Sequence, residues 1–345
     1  MKQPTLKDVA DRARVSYATA DRVLNGRAPV REDTAERVHA AVAELGYVRN
    51  VAAANLSRQR VYRFVILLPS GPNAFFRRMR ALLAERVAVA AALSTSIELR
   101  DVPAFDPARL ADELDLLARS GVDGIAAVGL DGPELQKPVA RLRAAGIALV
   151  ALVSPLPGVE ARNYVGIDNV AAGRTAARMI GMVHCRRAGR VQPIVGALNS
   201  RDHRERLTGF REVIARDYPE LELLEPIEGR DDAVTVERET ARVLGRDDPT
   251  AIYNVGAGNS GLARVLGDLG TRPFCVVHEL VAHSRAALEA NVFDVVLDQR
   301  PEVEIRLALD RLRALSDGVE GQGAEPVFPT ILVRDNLPPE SGDER

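Results

Sequence analysis

The sequence predicts a small all-α unit at the front of the chain, followed by an α/β body made of two doubly wound parallel-sheet lobes. Three observations carry this. Apolar residues in the first 45 positions recur at helical spacing. From Tyr62 onward, short apolar runs alternate with helical stretches, as parallel strands covered on both faces do. That alternation runs through twice, and 345 residues are too many for one ordinary core.

Thr5 to Gly26 reads as two short helices with a tight turn between them, the layout of a helix-turn-helix DNA reader. Leu6, Val9, Ala10 and Ala13 form one apolar stripe. Ser16 is placed as the N-cap of the second helix, with Ala20, Val23 and Leu24 facing inward and Tyr17, Ala18, Asp21 and Arg22 facing out. A third helix, Glu32 to Leu45, supplies Ala35, Val38, Val42 and Leu45 as the matching stripe. Periodicity alone also fits a three-helix protein-binding module.

The order TLKDVA, VSYAT, RVLNG, VREDTAERVHAAVAELGY and NVAAANLS, unbroken over roughly the first 60 residues, resembles the lactose-repressor (LacI/GalR-type) family. The resemblance implies that Tyr17, Ala18 and Arg22 meet base edges in the major groove, while Thr5, Ser16, Thr19 and Asn25 position the backbone. It also implies a hinge, too short to persist as an isolated helix, in which Asn50, Ala53 and Leu56 act at the minor groove and Leu56 wedges a base step. Three positions depart from the family pattern. Arg14 stands where glycine often ends the first helix, Asp21 replaces a small hydroxyl residue near phosphate, and Ala20 replaces a branched core residue.

Composition agrees with a DNA-facing front end. The net charge is -2, yet residues 1–60 hold 11 Lys/Arg against 7 Asp/Glu, so the front carries +4 and the remainder -6. Hydrophobic content of 46% and charged content of 27% are those of a globular protein. No apolar run approaches a membrane span and no apolar signal opens the chain, so the expectation is a cytoplasmic protein without a membrane partner. Cys185 and Cys275 lie far apart and suggest neither a disulfide framework nor a zinc site.

Behind the hinge, YRFVILLP reads as a buried strand followed by a helix over Phe75 to Leu93. SIELRDV, a helix from Asp106 to Ser120, GIAAVGL, a helix to Ala145 and IALVALV repeat the unit. The second round is NYVGI, a helix from Asn169 to His184, VQPIVGAL, a helix over His203 to Asp217, LELLEPI, a helix to Leu244, AIYNV, a helix to Leu269 and PFCVVH. VFDVVLD, a helix from Pro301 to Leu315 and VFPTILV complete it. Two such halves resemble the periplasmic-binding-protein type I fold that the same family carries behind its DNA reader. The expected division is 1–48 for the DNA reader, 49–61 for the hinge and 62–340 for the effector-binding body. Its first lobe is about 62–165 plus 300–324, and its second about 166–299 plus 325–340.

Ligands of open parallel sheets sit beyond the carboxyl ends of the strands, so the loops there carry the candidates. SGPNAFF is similar to the N-P-F-F loop of sugar-binding members: Asn73 is placed on a hydroxyl and Phe75 or Phe76 on a sugar face, with one of the two in the core. Asp131 takes the place of an acidic hydroxyl acceptor, although it could simply cap a helix. Asp168 matches a lobe crossover. In NSRDHRERLTGF, Arg206 matches the arginine of an R-x-x-G-F element, with His203 just before it, and its planar fork suits adjacent hydroxyls or a carboxylate. Asn254 or Asn259 is the amide after the strand AIYNV, Glu279 stands where aspartate is usual, and Gln299 matches the glutamine of the second crossover.

No catalytic motif competes: H-E-x-x-H, G-x-S-x-G and a complete glycine-rich phosphate loop are all missing. The reading is therefore a non-enzymatic, cofactor-free transcriptional regulator, a repressor by default. It is expected to act as a homodimer on a pseudo-palindromic operator and to answer a sugar or polyol effector. A sugar-binding transport protein without a DNA role, or a regulator sensing a nucleobase, is the alternative.

Overall fold

The computed structural model describes residues 4–25, 30–47, 60–92, 94–319 and 323–339. The chain divides into two compact units, Met1–Arg60 and Val61–Arg345.

In the front unit, α1 (Leu6–Ala13), α2 (Tyr17–Asn25) and α3 (Glu32–Leu45) enclose a core of Val9, Ala13, Val38 and Ala41, with Leu6, Val23, Leu24, Val42 and Leu45 packed against it. The start of α1 is fixed by a capping box: the Thr5 N–H donates to Asp8 Oδ2 at 2.7 Å, and the Asp8 N–H donates back to Thr5 Oγ1 at 3.4 Å. Ser16 Oγ accepts the Thr19 N–H at 3.1 Å and so begins α2. Ala20 is fully buried, whereas Tyr17, Ala18 and Arg22 are exposed. The hinge residues Asn50, Ala53 and Leu56, and the side chain of Asn25, lie outside the described residues.

In the rear unit the first lobe is a five-stranded, all-parallel sheet in the order β2-β1-β3-β4-β5. Its strands are β1 (Tyr62–Pro69), β2 (Thr95–Val102), β3 (Gly124–Val128), β4 (Ala148–Leu152) and β5 (Tyr164–Val165). The central strands are buried along nearly their whole length, because α4 (Ala74–Ala92), α5 (Pro107–Leu117) and α6 (Gln136–Ala144) follow β1, β2 and β3 and cover the two faces.

The second lobe repeats that winding. Its strands are β6 (Gly189–Val195), β7 (Leu221–Leu223), β8 (Ile227–Glu228), β9 (Ala251–Asn254), β10 (Phe274–His278) and β11 (Val295–Asp298), with β12 (Thr330–Leu332) antiparallel at the edge. The order runs β12-β11-β10-β9-β6-β7, with β8 also paired to β6. Its helices are α7 (Asn169–His184), α8 (Arg201–Asp217), α9 (Ala233–Asp247), α10 (Asn259–Gly267) and α11 (Ala282–Glu289). The last helix, α12 (Pro301–Ser316), returns to the first lobe, where Ile305, Ala308 and Leu312 join the core under β1. This is the two-lobed parallel architecture expected from the sequence. Details differ. NYVGI, read as opening the second round, supplies β5 at the edge of the first lobe's sheet. LELLEPI forms two short strands rather than one, α11, a two-turn helix between PFCVVH and VFDVVLD, was not expected, and the last strand is antiparallel.

Close packing of α7 on α8 fixes the second lobe's floor. A Cβ on Gly173 would sit 1.8 Å from the Arg206 carbonyl oxygen, and one on Gly209 would sit 2.0 Å from the Val170 carbonyl oxygen. Only hydrogen fits at either position. Phe210, one residue on, stacks on Tyr253 with ring centroids 4.6 Å apart. The R-x-x-G-F spacing thus serves one contact each: a functional side chain, a helix crossing and a core anchor.

Arg14 ends α1 in the left-handed region, at φ 54 and ψ 49. A side chain there costs up to about 1 kcal/mol relative to glycine. Arg14→Gly is therefore expected to stabilise the front unit by roughly 0.5–1 kcal/mol, read as slower amide exchange in α1–α3; unchanged or faster exchange would show that the Arg14 side chain holds the turn instead.

Candidate functional site

The loops that leave the carboxyl ends of the strands in both lobes face one another across a cavity of about 90 Å³. The first lobe contributes Pro69, Phe75, Phe76, Phe105, Val128, Leu130 and Val153, an apolar wall with three aromatic rings. The second contributes Ser200, Asp202, His203, Arg206, Asp231, Glu279 and Gln299, a polar floor. A second cavity of about 230 Å³ adjoins it through Asn73, Phe75, Asp231 and Glu279 and opens toward Arg77 and His283.

Arg206 is the centre of the floor. It rises from the second turn of α8 and is only 2% exposed, with Nε donating to Asn169 Oδ1 at 2.8 Å and Nη1 to the Val255 carbonyl at 3.0 Å. Its Nη2 has no partner. Glu279 and Gln299, which leave the ends of β10 and β11, are 7% and 2% exposed and joined by a hydrogen bond from Gln299 Nε2 to Glu279 Oε1. Glu279 Oε2 and Gln299 Oε1 are likewise without partners. Buried polar atoms are normally satisfied, so three orphans on one cavity floor mark where ligand groups belong.

Electrostatics separates the floor's acids. Burial, reinforced by the charge of Asp298, pushes the Glu279 carboxyl up to about 8, although Arg206, Gln299 and Arg78 act against the shift. Glu304, fully buried on α12, lies well above the carboxylate range because of its burial and the charge of Glu279. Asp202 goes the other way. Burial would raise it, but His203, Arg206 and a hydrogen bond from Ser200 outweigh that and hold it below the usual value.

Backbone strain collects in the same loops. Phe105, Val153, Arg230, Asp231 and Glu279 all line the cavity and all have φ between 52 and 71. Val153 is β-branched and Phe105 bulky, so each conformation carries a real cost that the surrounding fold must impose.

Of the ten expected effector contacts, Asn73, Phe75, Phe76, His203, Arg206, Glu279 and Gln299 line the cavity. Phe75 is 4% exposed and also part of the lobe core, with Phe76 edge-on to it at 5.2 Å. Asn73 has two further tasks: its Oδ1 accepts the Phe75 N–H at 2.9 Å, and its Nδ2 donates to Asp231 Oδ2 at 2.8 Å across the lobes.

Three expectations are corrected. Asp131 is off the wall because it pairs with Arg204 of the other lobe. Asp168 is exposed and caps α7 through the Ala171 N–H at 2.9 Å. Asn254 is fully buried beneath the loop, donating to Asn259 Oδ1 at 2.6 Å and to the Ala257 carbonyl at 3.1 Å. Asn259 reaches only the second cavity. Phe105, Ser200, Asp202 and Asp231 were not anticipated. Asp202, beside His203 in the opening turn of α8, was the one with a sequence signal.

Against known families, residues 64–320 match a model described as periplasmic binding protein domain, and residues 5–50 match one described as bacterial regulatory proteins, lacI family. The chain belongs to the lacI family of regulators. Its relatives include the HTH-type transcriptional regulator DegA of Bacillus subtilis, 25% identical over 72% of both chains. CelR of Thermobifida fusca is 34% identical over 62% of both, and GntR of Pseudomonas aeruginosa 46% identical over 21% of this chain and 22% of its own. The latter two matches thus span less than two thirds of those regulators. Among solved structures, a Burkholderia graminis solute binding protein in complex with D-arabinose aligns with TM-score 0.74 at 22% identity, covering 81% of this chain and 97% of that one. A Bacteroides fragilis protein titled a putative LacI transcriptional regulator aligns with TM-score 0.71 at 15% identity, covering 80% and 98%. These likenesses bear on the fold. The lacI-family chain is thus a DNA-binding transcriptional regulator whose rear unit has the fold of periplasmic solute binders.

Two predictions follow from the floor. A native carboxyl that titrates near 8 against an ordinary 4.5 keeps its proton longer than the unfolded chain does, so the contribution of Glu279 to the stability of the empty protein is full below about 4.5 and is lost as pH rises toward about 8. Glu279→Gln should make that fall shallower by up to about one proton in urea titrations at stepped pH, and an unchanged slope would mean that the carboxyl ionises normally. Gly173→Ala, whose methyl meets the Arg206 backbone, should cost about 1–3 kcal/mol in denaturant unfolding. A neutral result would show that α7 and α8 can separate.

Proposed function

We propose that this lacI-family regulator binds a pseudo-palindromic operator as a homodimer in the cytoplasm, and that a sugar or polyol held between its lobes changes its operator affinity. Repression is the default reading. The proposed division is a DNA reader over residues 1–48, a hinge over 49–61 and the effector-binding body over 62–340. Tyr17, Ala18 and Arg22 are the proposed base readers, since all three are exposed on α2, and Arg22 suits guanine O6 and N7. Thr5, Ser16, Thr19 and Asn25 are the proposed backbone contacts, and Asn50, Ala53 and Leu56 the proposed minor-groove ones.

One observation carries the effector reading: Arg206, Glu279 and Gln299, each with an unpartnered buried atom at Nη2, Oε2 and Oε1, line a cavity whose other lobe contributes Phe75, Phe76 and Phe105. A ring of hydroxyls edged with polar groups and flat on its apolar face meets both surfaces at once. Binding and closure are linked because the floor belongs to one lobe and the wall to the other. The closed arrangement is held by Asn73 to Asp231, Arg204 to Asp131, and Arg78 to the Leu280 carbonyl at 2.8 Å and to Asp298 at 3.1 Å. A ligand that favours this arrangement shifts the DNA-bound population by its differential affinity, a coupling of about 1–3 kcal/mol.

A thermal-shift screen of pentoses, hexoses and polyols, followed by calorimetry, tests this. Arg206→Ala should abolish effector binding yet leave the gel-shift with the DNA upstream of its own gene intact, whereas Arg22→Ala should weaken the gel-shift and spare the effector. Effector affinity unchanged in Arg206→Ala would remove the site assignment, and no salt-sensitive DNA binding at all would favour a transport-type binder.

A further inference from the structure

The cleft floor is rich in acidic and amide oxygens. Among the unpartnered buried atoms of the residues that line it, Arg206 Nη2 is a donor, Gln299 Oε1 an acceptor, and Glu279 Oε2 a carboxyl oxygen that is acceptor-only once the acid is ionised. The buried titratable groups in and behind the floor lean acidic: Asp202, Glu279 and Glu304 against Arg206 and His203. The other cations near the cavities are exposed or already engaged. Arg77 donates to the Pro72 carbonyl at 2.9 Å, Arg78 is held by Leu280, Asp298 and Glu302, and Arg230 is exposed. In the adjoining cavity the side chains of Asp231 and Asp232 are again acceptors, serving the Ala257 and Thr235 N–H groups.

A neutral polyol would hydrogen-bond to this floor but bring no charge to ionise its buried acid, so the empty cleft and the neutral complex both need a proton on Glu279. A cation removes that need. Glu279 stands where the two cavities meet, lining both, and Phe75 of the opposite lobe lines both as well. A cavity lined by both a buried carboxyl and an aromatic ring is a setting that suits an ammonium group.

Accepting the effector reading above, we infer that the ligand is an amine-bearing sugar or polyol whose ammonium group lies against Glu279 Oε2 and Gln299 Oε1, with Arg206 Nη2 donating to a ring or hydroxyl oxygen. Because Glu279 is a neutral acid in the empty cleft at neutral pH, seating the ammonium ionises it and expels a proton.

Calorimetry on the full chain with D-glucosamine and D-galactosamine, against D-glucose, D-galactose and N-acetyl-D-glucosamine, reads this directly at about pH 7 in two buffers of different ionisation enthalpy. The amines should bind at least about tenfold more tightly than the neutral sugars and release up to about one proton each. In Glu279→Gln that preference should fall toward one, while Glu279→Asp should keep part of it. Neutral sugars that bind as well as the amines, or an amine preference that survives Glu279→Gln in a chain with an unchanged melting curve, would overturn the inference and leave the effector reading standing. Binding of none of the five would overturn the inference, and binding of no sugar or polyol in the wider screen would overturn both. The proton count comes from the unaltered protein, so it decides the matter even where a variant fails to fold.

Discussion

A buried guanidinium with one unused nitrogen is the constraint from which the rest of this structure follows. Arg206 is 2% exposed, and a charge so far from water is tolerated only where partners surround it. Asn169 and the Val255 carbonyl supply two, and Asp202, held ionised, supplies the counter-charge. The position in turn depends on two glycines. Without Gly173 and Gly209, α7 and α8 could not approach closely enough to seat Arg206 beneath the cavity. The fold's tightest helix crossing and its chief ligand-facing group are therefore one feature.

The lobes answer each other in polarity as well as in topology. Both wind their strands in the same order, yet the loops at the carboxyl ends differ: aromatic and aliphatic from the first lobe, charged and amide-bearing from the second. A ligand with two chemically different surfaces needs both lobes at once, and that requirement turns binding into closure. Left-handed backbone at Phe105, Val153, Asp231 and Glu279 shows what holding these loops in place costs the fold.

Much of the architecture was legible because its signals are local. Helical spacing in the first 45 residues, Ser16 ahead of α2 and the twofold run of strand and helix depend on neighbours in sequence, and the architecture agrees with them. Arg206, Gly209 and Phe210 were legible as a motif because each answers a separate packing demand. What escaped was set partly by the opposite lobe and partly by local backbone geometry. Asp131 looked like a hydroxyl acceptor until Arg204, 73 residues away, took its carboxylate. Asn254 ends its strand as expected but turns under the loop toward Asn259 rather than outward. Phe105 and Asp231 reach the cavity only through φ values that such residues rarely adopt, and no composition or spacing announces that. The helix α11 is short and follows β10 after a turn, so its period was too brief to register.

The most direct test of this account is a crystal structure of the chain with the tightest sugar or polyol from the screen. The account predicts the ligand in the interlobe cavity, with polar atoms within hydrogen-bond distance of Arg206 Nη2 and Glu279 Oε2 and a ring or carbon face against Phe75, Phe76 or Phe105. A ligand bound elsewhere, or one in the cavity that leaves Arg206 Nη2 unpartnered, would contradict it.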